Sequence, residues 1–140
     1  MLILDTDHLS IMDKDTVTAF NLGRRLAVVP PEEVSVSIIT YEEQMRGWMS
    51  YIARATTPAQ QVLAYGKLQQ FISQFRQILV VDYTLDAATH FDRLRCSGVR
   101  IGAMDLKIAS VCLANDATLL TRNLKDFDKV PGLRAEDWSV

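Results

Sequence analysis

Residues 1–10 read MLILDTDHLS, an apolar run that meets two aspartates, Asp5 and Asp7, with only Thr6 between them. The run LILD reads as a short buried β-strand, too brief and too uniformly apolar for an amphipathic helix. Carboxylates are rarely buried unless they are paired or bound to a cation. Two so close together repel unless something positive is held between them. The stretch therefore predicts a strand that ends at a charged site, and the pattern of the remaining chain decides which other residues reach that edge.

Outward from this strand, VSVSII (34–39), ILVV (78–81) and TLLT (118–121) have the composition of further short strands. Between them lie helical signals. Asp15 is placed to cap a helix through Val17, Phe20 and Leu26, which Pro30 and Pro31 close. Thr40 starts a helix, because TYEE has the spacing of a capping box. Pro58 suits the first turn of a long helix carrying Val62, Leu63, Leu68, Phe71, Ile72 and Phe75. Leu85, Ala88, Phe91 and Leu94 mark another, ended near Gly98, and Asp105 opens a helix to about Asn115. Apolar strands alternating with helices predict an α/β fold, a parallel sheet with helices on both faces. Ligands of such sheets gather beyond the carboxyl ends of the strands. With no repeat, low-complexity tract or linker, residues 1–140 read as a single domain.

Composition narrows the function classes. The 140 residues are 49% hydrophobic and 23% charged with a formal net charge of −2, which excludes a disordered chain and a protein coated in positive charge. A local basic patch remains compatible with it. No apolar run approaches the roughly 18 residues that span a bilayer, and MLILDTD meets its charges too early for a signal peptide, so a cytoplasmic protein without membrane contact is expected. Cys96 and Cys112 have no metal-like spacing and read as reduced thiols. His8 and His90 are isolated, as structural or surface histidines are.

The acidic residues form the informative pattern. If the strands are parallel, Asp5 and Asp7 share an edge with Thr121 and Asn123 after the fourth strand, and with Glu42 and Glu43 after the second. Asp105 starts the inward stripe of its helix, with Ile108, Ala109, Cys112 and Leu113 at i+3, i+4, i+7 and i+8; a first-turn aspartate favoured by the helix dipole is the plainer reading. Carboxylates converging from distant positions make an oxygen cage suited to Mg²⁺ or Mn²⁺ and to phosphoryl transfer. On a helical wheel Glu42 lies nearer the stripe of Met45, Trp48, Met49 and Ile52, whereas Glu43 lies nearer Gly47. Asp-x-Asp after a first strand also occurs in haloacid-dehalogenase-type phosphatases, where the first Asp is a nucleophile. Those enzymes usually place Thr or Val where this chain has Leu9.

Four pieces in order, LDTDHLS, SVSIITYEEQMRG, IGAMDLKIA and LLTRNLKDFDKVPGL, followed by EDW, resemble the PIN-domain ribonucleases, and among them the VapC-type toxins of toxin–antitoxin pairs. The resemblance implies a PIN-like fold, a central mostly parallel sheet flanked by helices on both faces. It implies an endoribonuclease dependent on Mg²⁺ or Mn²⁺, with Asp5, Glu43 and Asp105 as its acidic positions and metal ligands, and Glu43 rather than Glu42 by register. The family's Thr-x-Asn/Asp position falls on Thr121 and Asn123. An amide there replaces a carboxylate that some members carry, leaving Asp126 or Asp7 to supply the charge; Asp7 stands where many relatives have Asn. RNA is then gripped by local basic residues, taken from Arg46, Arg100, Lys107, Arg122 and Lys125. A homodimer and a small VapB-like antitoxin are implied as partners, in keeping with the apolar helices around Trp48–Ile52 and Leu63–Phe75. The competing functions are the phosphatase and a non-catalytic PIN scaffold that acts through a protein partner.

Overall fold

Five strands lie parallel in the order β3-β2-β1-β4-β5: β1 (Leu2–Leu4), β2 (Val34–Ser37), β3 (Leu79–Val81), β4 (Thr118–Leu120) and β5 (Arg134–Glu136). The computed structural model describes residues 1–12 and 14–140. Among the described residues seven α-helices connect the strands: α1 (Thr6–Ile11), α2 (Val17–Leu26), α3 (Ile38–Ala53), α4 (Pro58–Phe75), α5 (Leu85–Cys96), α6 (Ala103–Ala114) and α7 (Leu124–Phe127). Among the described residues no helix is long and apolar enough to cross a membrane.

Strand alternation divides the core in two. Ile3 and its register partner Leu119 turn to one face, where Leu94 of α5, Ile108 and Cys112 of α6 and Phe127 of α7 cover them. Leu4 and Leu120 turn to the other, against Leu9, Phe71 and Phe75, with Met45 and Trp48 of α3 packed alongside. The uniformly apolar strands thus reflect burial on both faces. Tyr41, Phe71 and Phe75 hold α3 against α4, with ring centroids 4.8–5.5 Å apart. The sheet runs outward from β1 in one direction to β2 and β3, and in the other to β4 and β5. The carboxyl ends of β1 and β4 therefore mark its topological switch point, where open α/β sheets form their binding crevice.

Several element boundaries differ from the sequence expectation, each for a local reason. The second strand stops at Ser37, whose hydroxyl caps α3 by accepting the Thr40 N–H at 3.2 Å. Ile38 and Ile39 are already helical, so the capping box expected at Thr40 does not form. Thr57 and Gln60 make one at the start of α4 instead. Thr16, not Asp15, caps α2 by accepting the Ala19 N–H. Helix α6 begins at Ala103, which places Asp105 third in it rather than at its opening. On α4 the apolar pattern splits: Phe71 and Phe75 are buried, while Val62 and Leu63 are exposed. Helix α1 and strand β5 were not expected, since six residues are too few for a helical period and Arg-Ala-Glu on a sheet edge has no apolar signature. Gly98 does end α5 as expected, at φ +85°, a left-handed conformation in which it avoids the steric cost of a side chain.

The Ser37 cap sets the entry angle of α3, and hence of Glu43. Ser37→Ala would strand the buried Thr40 N–H and is expected to cost about 1–2 kcal/mol in urea unfolding. A loss below about 0.5 kcal/mol would show that this N–H finds another acceptor.

Candidate active site

Asp5 continues β1 at the switch point, its N–H donating to the Leu120 carbonyl of β4 at 3.0 Å. Asp5 is only 6% exposed, and two donors offset the burial of its carboxylate. Oδ1 accepts the His8 N–H at 2.9 Å, capping α1, and Oδ2 accepts the Thr121 hydroxyl at 2.5 Å. Thr121 is itself buried at the end of β4, and its oxygen accepts the Asn123 N–H at 3.0 Å. Asn123 donates through Nδ2 to Asp126 Oδ2 at 3.0 Å, and Lys129 approaches the other Asp126 oxygen at 3.4 Å. The segment after β4 thus forms a polar chain leading from Asp5 to Asp126.

Glu43 lies in the second turn of α3 and accepts the Thr6 hydroxyl of α1 at 3.0 Å. Burial raises its pKa; the Thr6 bond opposes that rise, and Asp5, Asp7 and Glu42 add to it. Asp105 is pushed up to about 6, first by burial, then by Glu43, Asp5, Asp126 and Asp7. These four neighbours are all acidic, so the edge is a concentration of negative charge that Asp105 shares. Asp126 lies at its margin, where the Asn123 bond and the nearby Lys129 and Lys125 bring its pKa below the ordinary value. Asp7 is exposed on α1 and reaches the cluster through its field. Glu42 points elsewhere, into an ion pair with Arg46 at 2.6 Å.

The structure therefore brings Asp5, Glu43, Asp105, Thr121, Asn123 and Asp126 to one edge and leaves Glu42 outside. Among the basic candidates, Arg46 is tied to Glu42, and Lys107 lies over the Phe91 ring at 5.9 Å. Arg100, Arg122 and Lys125 are exposed. Sequence reasoning missed three participants: Thr6, Lys129 and the wholly buried His8. The i+3 spacing from Asp5 to His8 was the available signal, since a capped first turn brings those residues together. Oxygen donors of this kind suit a hard divalent cation. Among the described residues, however, no three acidic, histidine or cysteine groups stand close enough to hold a metal ion as placed. The donor chemistry fits, while the groups are drawn together less tightly than a coordination shell requires.

The raised Asp105 value has a consequence for stability. The unfolded carboxyl ionises near 3.8 and the folded one near 6. The unfolded state thus binds fewer protons between those values, and the metal-free fold loses stability as pH rises from about 4 through 6, staying lower above. The full shift would correspond to about 3 kcal/mol, but a half-exposed group is screened, leaving about 1 kcal/mol. Asp105→Asn should therefore stabilise the chelator-treated protein near neutral pH by about 1 kcal/mol and flatten the fall between pH 4 and 6 in urea titrations. An unchanged pH profile would mean that the acidic cluster does not strain the fold.

No protein-family model matches the chain. It is 36% identical over 76 residues to ribonuclease VapC2 of Rickettsia felis, covering 51% of this chain and 54% of that protein. It is 33% identical over 75 residues to the tRNA(fMet)-specific endonuclease VapC of Salmonella typhimurium, with 51% and 54% covered. The chain thus spans about half the length of the curated relatives it matches. In three dimensions it is similar to a chain of the VapBC2 structure from Rickettsia felis bound to a promoter DNA fragment. That similarity has a TM-score of 0.71 at 25% identity and covers 98% of each chain. The motifs, the sequence shared over half the chain and the architecture shared over nearly all of it agree: this chain has the PIN-like fold of the VapC proteins and is similar to them in sequence.

Proposed function

We propose that the chain is a divalent-cation-dependent endoribonuclease, the toxin partner of a small VapB-like antitoxin. The observation that carries this reading is the gathering of Asp5, Glu43 and Asp105 along one edge at the sheet's switch point, where burial and then each acidic neighbour of Asp105 raise its pKa. A buried strand end is an unfavourable place for so much negative charge unless a cation is bound there during function. Asp5, Glu43 and Asp105 are the residues that would hold Mg²⁺ or Mn²⁺. Such an ion supplies water activation and neutralises charge on the leaving oxygen.

The remaining residues have supporting parts. Thr121 holds Asp5 in place through its hydroxyl, and Thr6 does the same for Glu43. Asn123 directs Asp126 toward the margin of the site. Burial and its acidic neighbours push the Asp105 carboxyl up to about 6 in the absence of added positive charge. Arg100, Arg122 and Lys125, exposed near the ends of these elements, are the proposed phosphate contacts, with Lys107 and Arg46 requiring release from Phe91 and Glu42. One relative is named for tRNA(fMet), which makes a structured RNA the first substrate to test. The apolar residues exposed on α4 leave surface for a second copy and for the antitoxin. The phosphatase reading gains no support: Leu9, four residues after Asp5, is wholly buried in the core and offers no polar group to a site.

Mg²⁺-dependent cleavage of RNA should fall by roughly a hundredfold or more in Asp5→Asn and Asp105→Asn. Glu43→Gln should lose far more activity than Glu42→Gln in single-turnover assays. Equal losses at 42 and 43 would reduce the acidic cluster to a general field, and cleavage that persists after exhaustive chelation would end the metal-dependent reading. Retained RNA binding with no cleavage under any divalent cation would favour the scaffold. Neutralising Arg100 or Arg122 should lower the salt slope of RNA binding by about one while leaving saturated cleavage nearly unchanged. An unchanged slope would remove that residue from the interface.

A further inference from the structure

His8 is buried beside the acidic cluster and has no part in the chemistry proposed above. Its ring lies between two segments far apart in sequence. On one side Nε2 accepts the Trp138 backbone N–H at 3.2 Å, so the ring proton is assigned to Nδ1. On the other side Nδ1 stands 3.6 Å from Asp5 Oδ1, beyond hydrogen-bond range. Among the described residues, this Nδ1 is the buried side-chain nitrogen left without a hydrogen-bond partner. An unpartnered buried donor is costly, and such a group calls for a reason.

The segment that holds the other side of the ring is firmly fastened. Ser139 donates its N–H and hydroxyl to Asp137 Oδ1 at 2.8 and 2.6 Å. Arg25 of α2 donates to the Asp137 carbonyl at 3.3 Å and lies over the Trp138 ring at 4.5 Å from its centroid. Asn21, also on α2, donates to the Ser139 carbonyl at 3.3 Å. The His8 ring is thus fixed by residues 137–139 and directed at the oxygen of Asp5 that already accepts the His8 N–H.

We propose that His8 is a positioning residue: it ties the Asp5 carboxylate to segment 137–139, and its Nδ1–H becomes a donor to Asp5 Oδ1 when that carboxylate engages a divalent cation. The proposal rests on Asp5 being a cation ligand, as argued above. Ligating carboxylates are held by donors behind them, and removing such a donor typically weakens metal binding by about 10–100-fold. His8 supplies this donor from a ring that nothing else on the Asp5 side satisfies. Segment 137–139, remote in sequence from every proposed ligand, thereby bears on how tightly the cation is held.

Two substitutions separate the ring's two ends. Asn at position 8 keeps a donor where Nδ1 stands but does not reach Trp138, whereas Gln keeps an acceptor toward Trp138 and lacks the near donor. Titrating Mg²⁺ or Mn²⁺ alone into RNA-free protein by calorimetry, His8→Gln and His8→Phe should bind about tenfold more weakly or worse, and His8→Asn, which keeps the donor but loses the tie to Trp138, should fall between them and wild type. Nitrogen NMR of the wild-type imidazole should show the proton on Nδ1, with that signal shifting and exchanging more slowly with water on Mg²⁺ saturation. The NMR measurement decides alone if a variant fails to fold. Wild-type affinity in His8→Gln, or ring-nitrogen signals that ignore Mg²⁺, would overturn the positioning role and leave the nuclease reading standing. A wild-type protein that binds neither cation would overturn both.

Discussion

The Asp5 carboxylate joins three parts of the structure that would otherwise meet only loosely. It caps α1 through the His8 N–H, anchors the end of β4 through Thr121, and faces Glu43 and Asp105 at the edge of the sheet. A carboxylate this buried is tolerable because two donors satisfy it. Its position follows from the strand order. Since β1 and β4 are neighbours at the point where the chain reverses its direction across the sheet, residues 5 and 121 are adjacent despite more than a hundred intervening positions.

Around that anchor the acidic edge works against the fold that builds it. Burial and mutual repulsion raise the pKa values of Glu43 and Asp105, so the arrangement is a source of strain in the absence of added positive charge. The two-faced core bears the cost. Ile3 and Leu119 are sealed by α5–α7, and Leu4 and Leu120 by α1, α3 and α4, which holds the strand ends in register. The polar devices nearby are local: a serine cap for α3, a threonine beneath Glu43 and an asparagine beside Asp126. Each holds one side chain in place without adding positive charge to the cluster.

The basic residues are arranged differently from the acidic ones. Arg46 and Lys107 are engaged with Glu42 and Phe91, and Lys129 with Asp126, while Arg100 and Arg122 remain exposed. A net charge of −2 and a scattered set of basic residues argue against a protein that wraps nucleic acid by bulk charge.

The sequence alone determined the α/β class, because uniformly apolar strands alternating with helices leave both faces of a sheet to be covered. It also determined which residues could gather at one edge: Asp5 after the first strand, Thr121 and Asn123 after the fourth, and Asp105 on an inward stripe. Local rules reached less far where they competed. Ser37 and Thr40 both suit a cap, and only the packing of Ile39 into the core and the end of the β2–β3 pairing decide for Ser37. Glu42 and Glu43 are adjacent and chemically alike, and a wheel drawn on one helix favoured Glu42. Tertiary structure directs Glu43 at Thr6 and turns Glu42 to Arg46, because the neighbouring helix α1 offers a partner on only one side of α3. Strand β5 was invisible for a related reason, since a polar edge strand is specified by the carbonyls and N–H groups it pairs with rather than by its own side chains. His8 is the extreme case: its sequence neighbours mark it only as a residue near a cap, and its contact with Trp138 exists only once the chain has closed across 130 positions.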